Sequence, residues 1–257
     1  MGIIALITDF GTRDWYAGEM KAAILLAAPS ATLIDISHTV DFGDIEGAAF
    51  SLLSCYRSFP QGTVFCVVVD PGVGSSRQAL AGSGGAYFFT GPDNGVLSWA
   101  LEQEPTYSLR RVENPTLLPR EVSPTFHGRD IFAPIAAYLS LVGDLDTIGP
   151  PVSEHIRLPG LKPRLENNRI IGTIVYLDRF GNAITTVTRD SLALLPSGAK
   201  SVILKGSRFP LCTHFQEVAE GEGLAYLGSG GFLEIAINRG SALTAFNLRR
   251  GDPVEVE

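Results

Sequence analysis

Residues 63–69, Thr-Val-Phe-Cys-Val-Val-Val, form an unbroken apolar run that stops at Asp70-Pro71-Gly72. A run of this length without period-2 alternation reads as a strand covered on both faces. Such a strand excludes an all-helical chain and requires helices above and below a sheet. Asp70 therefore sits at the carboxyl end of a core strand, the edge where open α/β sheets place their ligands. Pro71, Gly72 and Gly74 turn the chain, and Arg77 comes back soon after. Two readings of the pair stay open: an acid and a guanidinium held in a site, or a cap beside a solvated arginine.

The flanking sequence alternates in the same way. A strand is expected at 3–8, and Asp14 is expected to cap a helix reaching Ala28, with Tyr16, Met20, Ile24 and Ala27 on its inner face. Pro29 closes that helix and a strand follows at 32–36. Asp44 caps a second helix through Tyr56, which leads into the 63–69 run. Short strands near 78–81 and 87–90, a helix at 96–103 and another at 130–141 complete the first part. Strands alternating with helices predict a mostly parallel sheet with helices on both faces, an α/β sandwich over residues 1–158.

A connection rich in Pro, Arg and Asn occupies 159–169. From residue 170 to 257 the pattern changes to short strands and turns, at 170–178, 183–188, 201–204, 224–227, 233–237 and 253–256. Strands at near-regular spacing predict a smaller all-β, barrel-like domain.

The 257 residues are comfortable for two such domains. With 45% hydrophobic and 18% charged residues the chain is compact and not disordered. A net charge of −7 argues against non-specific nucleic-acid binding, which needs a basic face. The N-terminus does not resemble a signal peptide, since its short apolar run reaches Asp9 at once, and no run approaches the length of a membrane span. Cys55, Cys66 and Cys212 are odd in number and lack CxxC spacing, so they read as packing residues in a reducing cytoplasm.

Several loops carry chemistry. The first βα turn, Thr8-Asp9-Phe10-Gly11, lacks the G-x-G-x-x-G that cradles a pyrophosphate. It offers Asp9, which either accepts both hydroxyls of a ribose or closes an Asx turn. Gly91-Pro92-Asp93-Asn94-Gly95 is turn chemistry, with Asp93 a cap for the next helix. His127, in the polar loop before a helix capped by Asp130, is placed to present an imidazole for proton transfer. His38, His155 and His214 have no comparable setting. In the second domain, Phe180 and Asn182 of the Asp178–Asn182 turn offer a stacking ring and an amide edge to a flat heterocycle, or hold only a tight turn. The loops at 227–231 and 237–242 are built of small residues, which let a ligand approach the backbone.

Together, TDFG at 8–11, VDPGVG at 69–74 with Arg77, GPDNG at 91–95, FHGRDIFAP at 126–134 and DRFGN at 178–182 resemble the S-adenosyl-L-methionine hydroxide adenosyltransferase family. These are adenosylmethionine hydrolases, related to the fluorinase and chlorinase enzymes. The resemblance runs through nearly the whole chain in order. It implies a water-activating trio at Asp70, Arg77 and His127, which the halide enzymes lack, and a ribose-binding acid at Asp9. It further implies an acid for the methionine ammonium at Asp178. An adenine pocket falls on Phe180, Asn182 and the backbone around Asn238, Arg239 and Ser241, and Ser229 falls at the methionine end. No cofactor and no metal are implied. The expected products are adenosine and L-methionine, made by a homotrimer with sites between neighbouring subunits and no nucleic-acid or membrane partner.

The chemistry suits these residue types. Water or hydroxide would attack the ribose 5′ carbon behind the sulfonium, and the departing thioether is neutral and needs no acid. The difficulty is the pKa of water, near 15.7 in bulk. Two other readings are open: a metal-dependent phosphoesterase using Asp9, Asp70, Asp93 and His127, and a nucleoside-binding sensor without turnover.

Overall fold

The computed structural model describes residues 2–195 and 198–257. Met1, at the start of the predicted 1–158 domain, and Pro196 and Ser197, within 170–257, lie outside the described residues. The chain divides into two compact units, Met1–Pro159 and Gly160–Glu257.

The first unit contains β1 (Ile3–Thr8), α1 (Tyr16–Ala27), β2 (Thr32–Ser37), α2 (Ile45–Cys55), β3 (Val64–Val68), β4 (Ala79–Gly84), β5 (Tyr87–Pro92), α3 (Ser98–Leu101), β6 (Tyr107–Arg111) and α4 (Ala133–Val142). Its sheet has the order β2-β1-β3-β5-β4-β6. The four strands β2, β1, β3 and β5 are parallel, and β4 runs antiparallel to both β5 and β6. Side-chain alternation divides each central strand between two cores. Ile4, Leu6, Val64, Cys66 and Val68 pack with α1 and α4. Ala5, Ile7, Phe65, Val67 and Val69 pack with α2 and α3 on the other face. The 63–69 run is apolar throughout because both of its faces are covered. From β1 the chain passes outward to β2, whereas β3 lies on the opposite side of β1. The carboxyl ends of β1 and β3 therefore flank the point where strand order reverses, the crevice in which such sheets bind ligands.

Some local expectations change. α1 begins at Tyr16 after Trp15, with no side-chain cap, so Asp14 is not its cap. Its buried face is Ala17, Met20, Ile24 and Ala28, while Tyr16 is 42% exposed and Ala27 lies on the open side. Asp44 does cap α2, accepting from the Gly47 N–H at 3.0 Å. The helix expected at 96–103 is reduced to Ser98–Leu101. The one expected at 130–141 starts as a π turn, Gly128–Phe132, and continues as α4.

The second unit is a nearly closed antiparallel sheet. Its elements are β7 (Arg164–Glu166), β8 (Arg169–Leu177), β9 (Ala183–Thr188), α5 (Arg189–Leu192), β10 (Ser201–Leu204), β11 (Ser207–Pro210), β12 (Gly223–Leu227), β13 (Phe232–Ile237), α6 (Ala242–Ala245) and β14 (Pro253–Val256). The order is β11-β10-β14-β8-β9-β13-β12, with β7 added to β8. A bridge between Leu211 and Ala225 links the two ends of this order. Ile174, Val187, Leu204, Phe209, Leu233, Ile235 and Val254 fill the interior. β7 lies within the stretch read as a connection. No helix among the described residues is long and apolar enough to cross a membrane.

Candidate active site

β3 delivers Asp70 to the crevice, and antiparallel β4 begins beside it, so Arg77 arrives at the same edge of the sheet. β5 lies between these strands, and the 70–78 segment arches over its end. Both feet of the arch are tied to the turn that follows β5. The Asn94 side-chain amide donates to the Val69 carbonyl at 2.9 Å, and the Asp93 N–H donates to the Gln78 carbonyl at 2.9 Å. This gives the GPDNG motif a structural purpose. Asp93 does not cap a helix: its carboxylate accepts from the Ile156 N–H at 2.8 Å.

Within the arch, Arg77 grips Asp70 with two donors. Nε reaches Oδ1 at 3.0 Å, and Nη2 pairs with Oδ2. The same Nη2 lies 2.6 Å from Nδ1 of His127. Both members of the ion pair are almost buried, with side chains 5% (Asp70) and 10% (Arg77) exposed. The guanidinium also lies over the Phe132 ring at 5.3 Å. An arginine has donors only, so the imidazole nitrogen facing it is the acceptor. Burial and the neighbouring Arg77 charge hold the His127 pKa below its ordinary value, partly offset by Asp70 and Asp130.

Two glycines permit the close approach of these loops. Gly74 has φ +78°, and a Cβ there would stand 2.3 Å from the Pro124 carbonyl oxygen. A side chain at Gly128 would strike the Phe10 ring at 2.8 Å. Asp130, expected to cap a helix, instead lies within the π turn. Its carboxylate accepts from the Ser123 N–H at 2.8 Å and from Arg129 Nε at 2.6 Å.

Asp9 sits just past β1 and lines the same cleft as Asp70 and His127, a cavity of about 630 Å³. One of its oxygens accepts from the Gly43 N–H at 2.9 Å. Burial raises the Asp9 pKa against that hydrogen bond, and the Asp70 charge adds to the rise. His38, set aside in the sequence, supports this corner: Nδ1 lies 2.8 Å from Thr8 Oγ1, and its carbonyl accepts from the Gly11 N–H. The sequence reading also missed the aromatic wall of the cleft, Phe10, Trp15, Tyr16, Phe42 and Phe126. Three of these cluster at Phe10, Trp15 and Tyr16, a concentration visible in the chain, of which the sequence pattern assigns only Tyr16, to the inner face of a helix.

The second-unit candidates are held by local contacts. Asp178 Oδ1 accepts from the Asn182 backbone N–H at 2.8 Å and Oδ2 from its side-chain amide at 3.0 Å. Asn182 is 7% exposed, whereas the Phe180 ring is 79% exposed. Ser229 is exposed on its turn. Asn238 spends its side chain on the Val218 carbonyl at 2.9 Å. Arg239, at φ 57°, pairs with Glu220 at 3.1 Å. Among the described residues, no three His, Cys, Asp or Glu side chains are grouped to hold a metal ion.

Both units have counterparts among known proteins. Residues 4–149 match the SAM hydroxide adenosyltransferase N-terminal domain, and residues 172–255 match the C-terminal domain. An (R)-S-adenosyl-L-methionine hydrolase of Thermus thermophilus is 39% identical, over 98% of each chain. A fluorinase of Nocardia brasiliensis is 29% identical, over 99% of this chain and 96% of that one. A crystal structure of an uncharacterized conserved protein from Thermotoga maritima superposes with a TM-score of 0.93 at 37% identity, covering 98% of this chain and 99% of the other. With both of its domains matched in order, the chain belongs to the SAM hydroxide adenosyltransferase family.

Proposed function

We propose that this protein hydrolyses S-adenosyl-L-methionine to adenosine and L-methionine, with Asp70, Arg77 and His127 acting as one unit on the attacking oxygen. The reading rests on the hydrogen-bonded chain from Asp70 through Arg77 to His127, beside a cleft that also contains Asp9. Its relatives named as hydrolases support it.

In the reaction, oxygen bonds to the ribose 5′ carbon as the carbon–sulfur bond breaks. The electron pair stays on sulfur, which becomes a neutral thioether, and one proton passes to solvent. Asp70 fixes the guanidinium, whose charge cannot be lost by deprotonation. Because His127 Nδ1 accepts from Arg77, the neutral ring carries its proton on Nε2. A proton taken up at Nδ1 would break that bond. His127 therefore acts as a donor toward the oxygen, and with Arg77 it favours hydroxide over water. Union of hydroxide with a sulfonium substrate cancels charge, and the aromatic wall of the cleft favours that cancellation.

Asp9 accepts the ribose diol. Asp178 holds the methionine ammonium, and Ser229 contacts the methionine end. Phe180 and Asn182 receive the adenine together with the backbone of Asn238, Arg239 and Ser241. Backbone contact is consistent with Asn238 spending its side chain on Val218. These residues are distributed between the two units, and the assembly we infer is a homotrimer pairing the first unit of one copy with the second unit of the next. A head-to-tail contact of this kind closes into a ring. The free cysteines fit a cytoplasmic location.

Purified protein incubated with S-adenosyl-L-methionine in H₂¹⁸O is expected to release equal amounts of adenosine and methionine, with the label on the adenosine 5′ oxygen. Unlabelled adenosine, or a 5′-halogenated nucleoside in halide buffer, overturns the reading. For the assembly, inactive Asp70→Ala chains are mixed with Asn182→Ala chains of weakened affinity after subunit exchange is verified. Sites shared between copies yield a population with wild-type KM, and sites confined to one chain show only the raised KM at every ratio.

A further inference from the structure

Among the described residues the His127 ring has one hydrogen-bond partner, Arg77, and it sits in a loop that must hold its backbone still for that contact to persist. That loop is closed by Asp130, which is 6% exposed and accepts three hydrogen bonds. The Ser123 N–H reaches Oδ2 at 2.8 Å, closing the loop across its base. Arg129 reaches Oδ1 through Nε at 2.6 Å and Oδ2 through Nη2 at 3.0 Å. Its third nitrogen continues to Glu19 on α1 at 2.9 Å. The guanidinium lies 5.0 Å from the centre of the Phe126 ring, which packs edge-on against Phe10 and Tyr16. None of these contacts caps the helix that follows. The Arg129–Glu19 and Phe126–Tyr16 contacts bind the loop carrying His127 to α1, and the Phe126–Phe10 contact binds it to the turn after β1.

We propose that Asp130 is a positioning residue for the reaction, the junction that fixes the His127 ring on Arg77. Its charge acts on the ring as well. The groups bearing on the imidazole are Arg77, which opposes protonation, and Asp70 and Asp130, which favour it, with Asp9, Glu19 and Arg129 along the same cleft. Arg129 tempers Asp130 directly, so the pair can be perturbed in opposite senses.

The inference rests on the reading of His127 as part of the water-activating group, and the two fail separately. Wild-type protein that makes no adenosine ends that reading, whereas the imidazole NMR signals report on Asp130 without turnover. Asp130→Asn keeps the side chain's size and an acceptor for Ser123, but loses the charge and half of the Arg129 fork. It is expected to lower kcat roughly 10- to 100-fold, the scale of a small displacement at a reacting centre, with KM within about twofold. The His127 titration, assigned by its loss in His127→Gln, moves to lower pH, and the ring's Nε2–H signature gives way to a mixture of tautomers. Asp130→Glu keeps the charge on a longer arm and lowers kcat with little change in the titration. Arg129→Gln leaves Asp130 uncompensated and moves the titration to higher pH. A folded Asp130→Asn with wild-type kcat and titration, altered only in melting temperature, overturns the proposal. If Asp130→Asn does not fold, Arg129→Gln decides alone: an unmoved or lowered titration overturns it.

Discussion

The two units hold their motif residues in different ways. In Met1–Pro159, the arch folds Asp70 and Arg77 together and His127 joins them from a distant part of the chain, so the three meet only because the sheet, the arch and the 123–130 loop converge. In Gly160–Glu257, Asp178 and Asn182 satisfy each other across one turn, and Asn238 holds a neighbouring loop. The first arrangement fixes charges against each other before substrate arrives, as catalysis by electrostatic preorganisation requires. The second satisfies each group within or beside a short turn of the barrel, which suits recognition. Losses in the Asp70–Arg77–His127 group should therefore fall on turnover and stability together, and losses in the second unit on affinity.

The hardest test of that contrast is Arg77→Ala. It strands a buried carboxylate and removes the partner of His127, with an expected kcat loss of roughly 10³-fold. Urea denaturation should show about 3 kcal/mol less stability, the cost of breaking a buried ion pair from one side. Arg77→Lys should not restore turnover, because a single ammonium cannot reproduce the fork. Retained turnover in either variant would remove the basis for treating the first unit as preorganised. Asp9→Ala comes next: adenosine and S-adenosyl-L-methionine should both bind roughly 10- to 100-fold more weakly by calorimetry, from loss of hydrogen bonds to a charged group. The wild type should discriminate against 2′-deoxyadenosine by a similar factor, and equal affinities would assign Asp9 another role.

Asn182→Ala probes the local clasp of the second unit. KM should rise roughly tenfold with kcat nearly unchanged, and stability should fall by about 1 kcal/mol for the lost hydrogen bonds. A kcat loss as large as that of Arg77→Ala would erase the distinction between the units. A smaller effect concerns pH. Unfolded His127 takes up a proton near 6.5, whereas burial and Arg77 hold the folded ring neutral to lower pH. The unfolded chain then binds more protons, so the ring's contribution to stability is full above 6.5 and is lost as pH falls through the folded value. Asp9, raised in the folded state, has the opposite sign. Compared with His127→Gln, the wild type should lose stability as pH falls below 6.5. Least of all, Arg239→Ala removes an exposed pair with Glu220 and should change stability by no more than about 0.5 kcal/mol. Its KM should stay at the wild-type value, since the proposed adenine contact is backbone.

Strands with long apolar or β-branched runs, such as β1, β3, β9 and β14, are legible because burial dictates their composition. β6, β7 and β11 are not, because they owe their form to one antiparallel neighbour each and carry Arg, Glu, Ser or Pro where a buried strand would carry Val. The start of α1 misled for a related reason: Asp14 has the chemistry of a cap, yet the helix begins after Trp15 without one. In the site, Asp70 and Arg77 could be associated from their spacing. The nitrogen that His127 presents to Arg77 is a product of tertiary contact, and the capture of Asp130 by Ser123 and Arg129, though close in sequence, follows from a π turn where a capped helix was expected.

The arch over β5 has a consequence for how chemistry can change on this scaffold. Its feet stand two strand spacings apart, ~10 Å, and are pinned by main-chain carbonyls to Asn94 and Asp93. Neither anchor involves an arch side chain. The sheet thus carries the 70–78 segment as an exchangeable cassette: new side chains there alter the nucleophile it can manage, while the strands beneath need no repacking. Replacing residues 71–73, 75 and 76 at constant length, with Gly74 kept, should be tolerated by the fold. Lengthening the segment would leave both feet in place and let Arg77 drift from Asp70, turning a hydrolytic site into an inert nucleoside pocket.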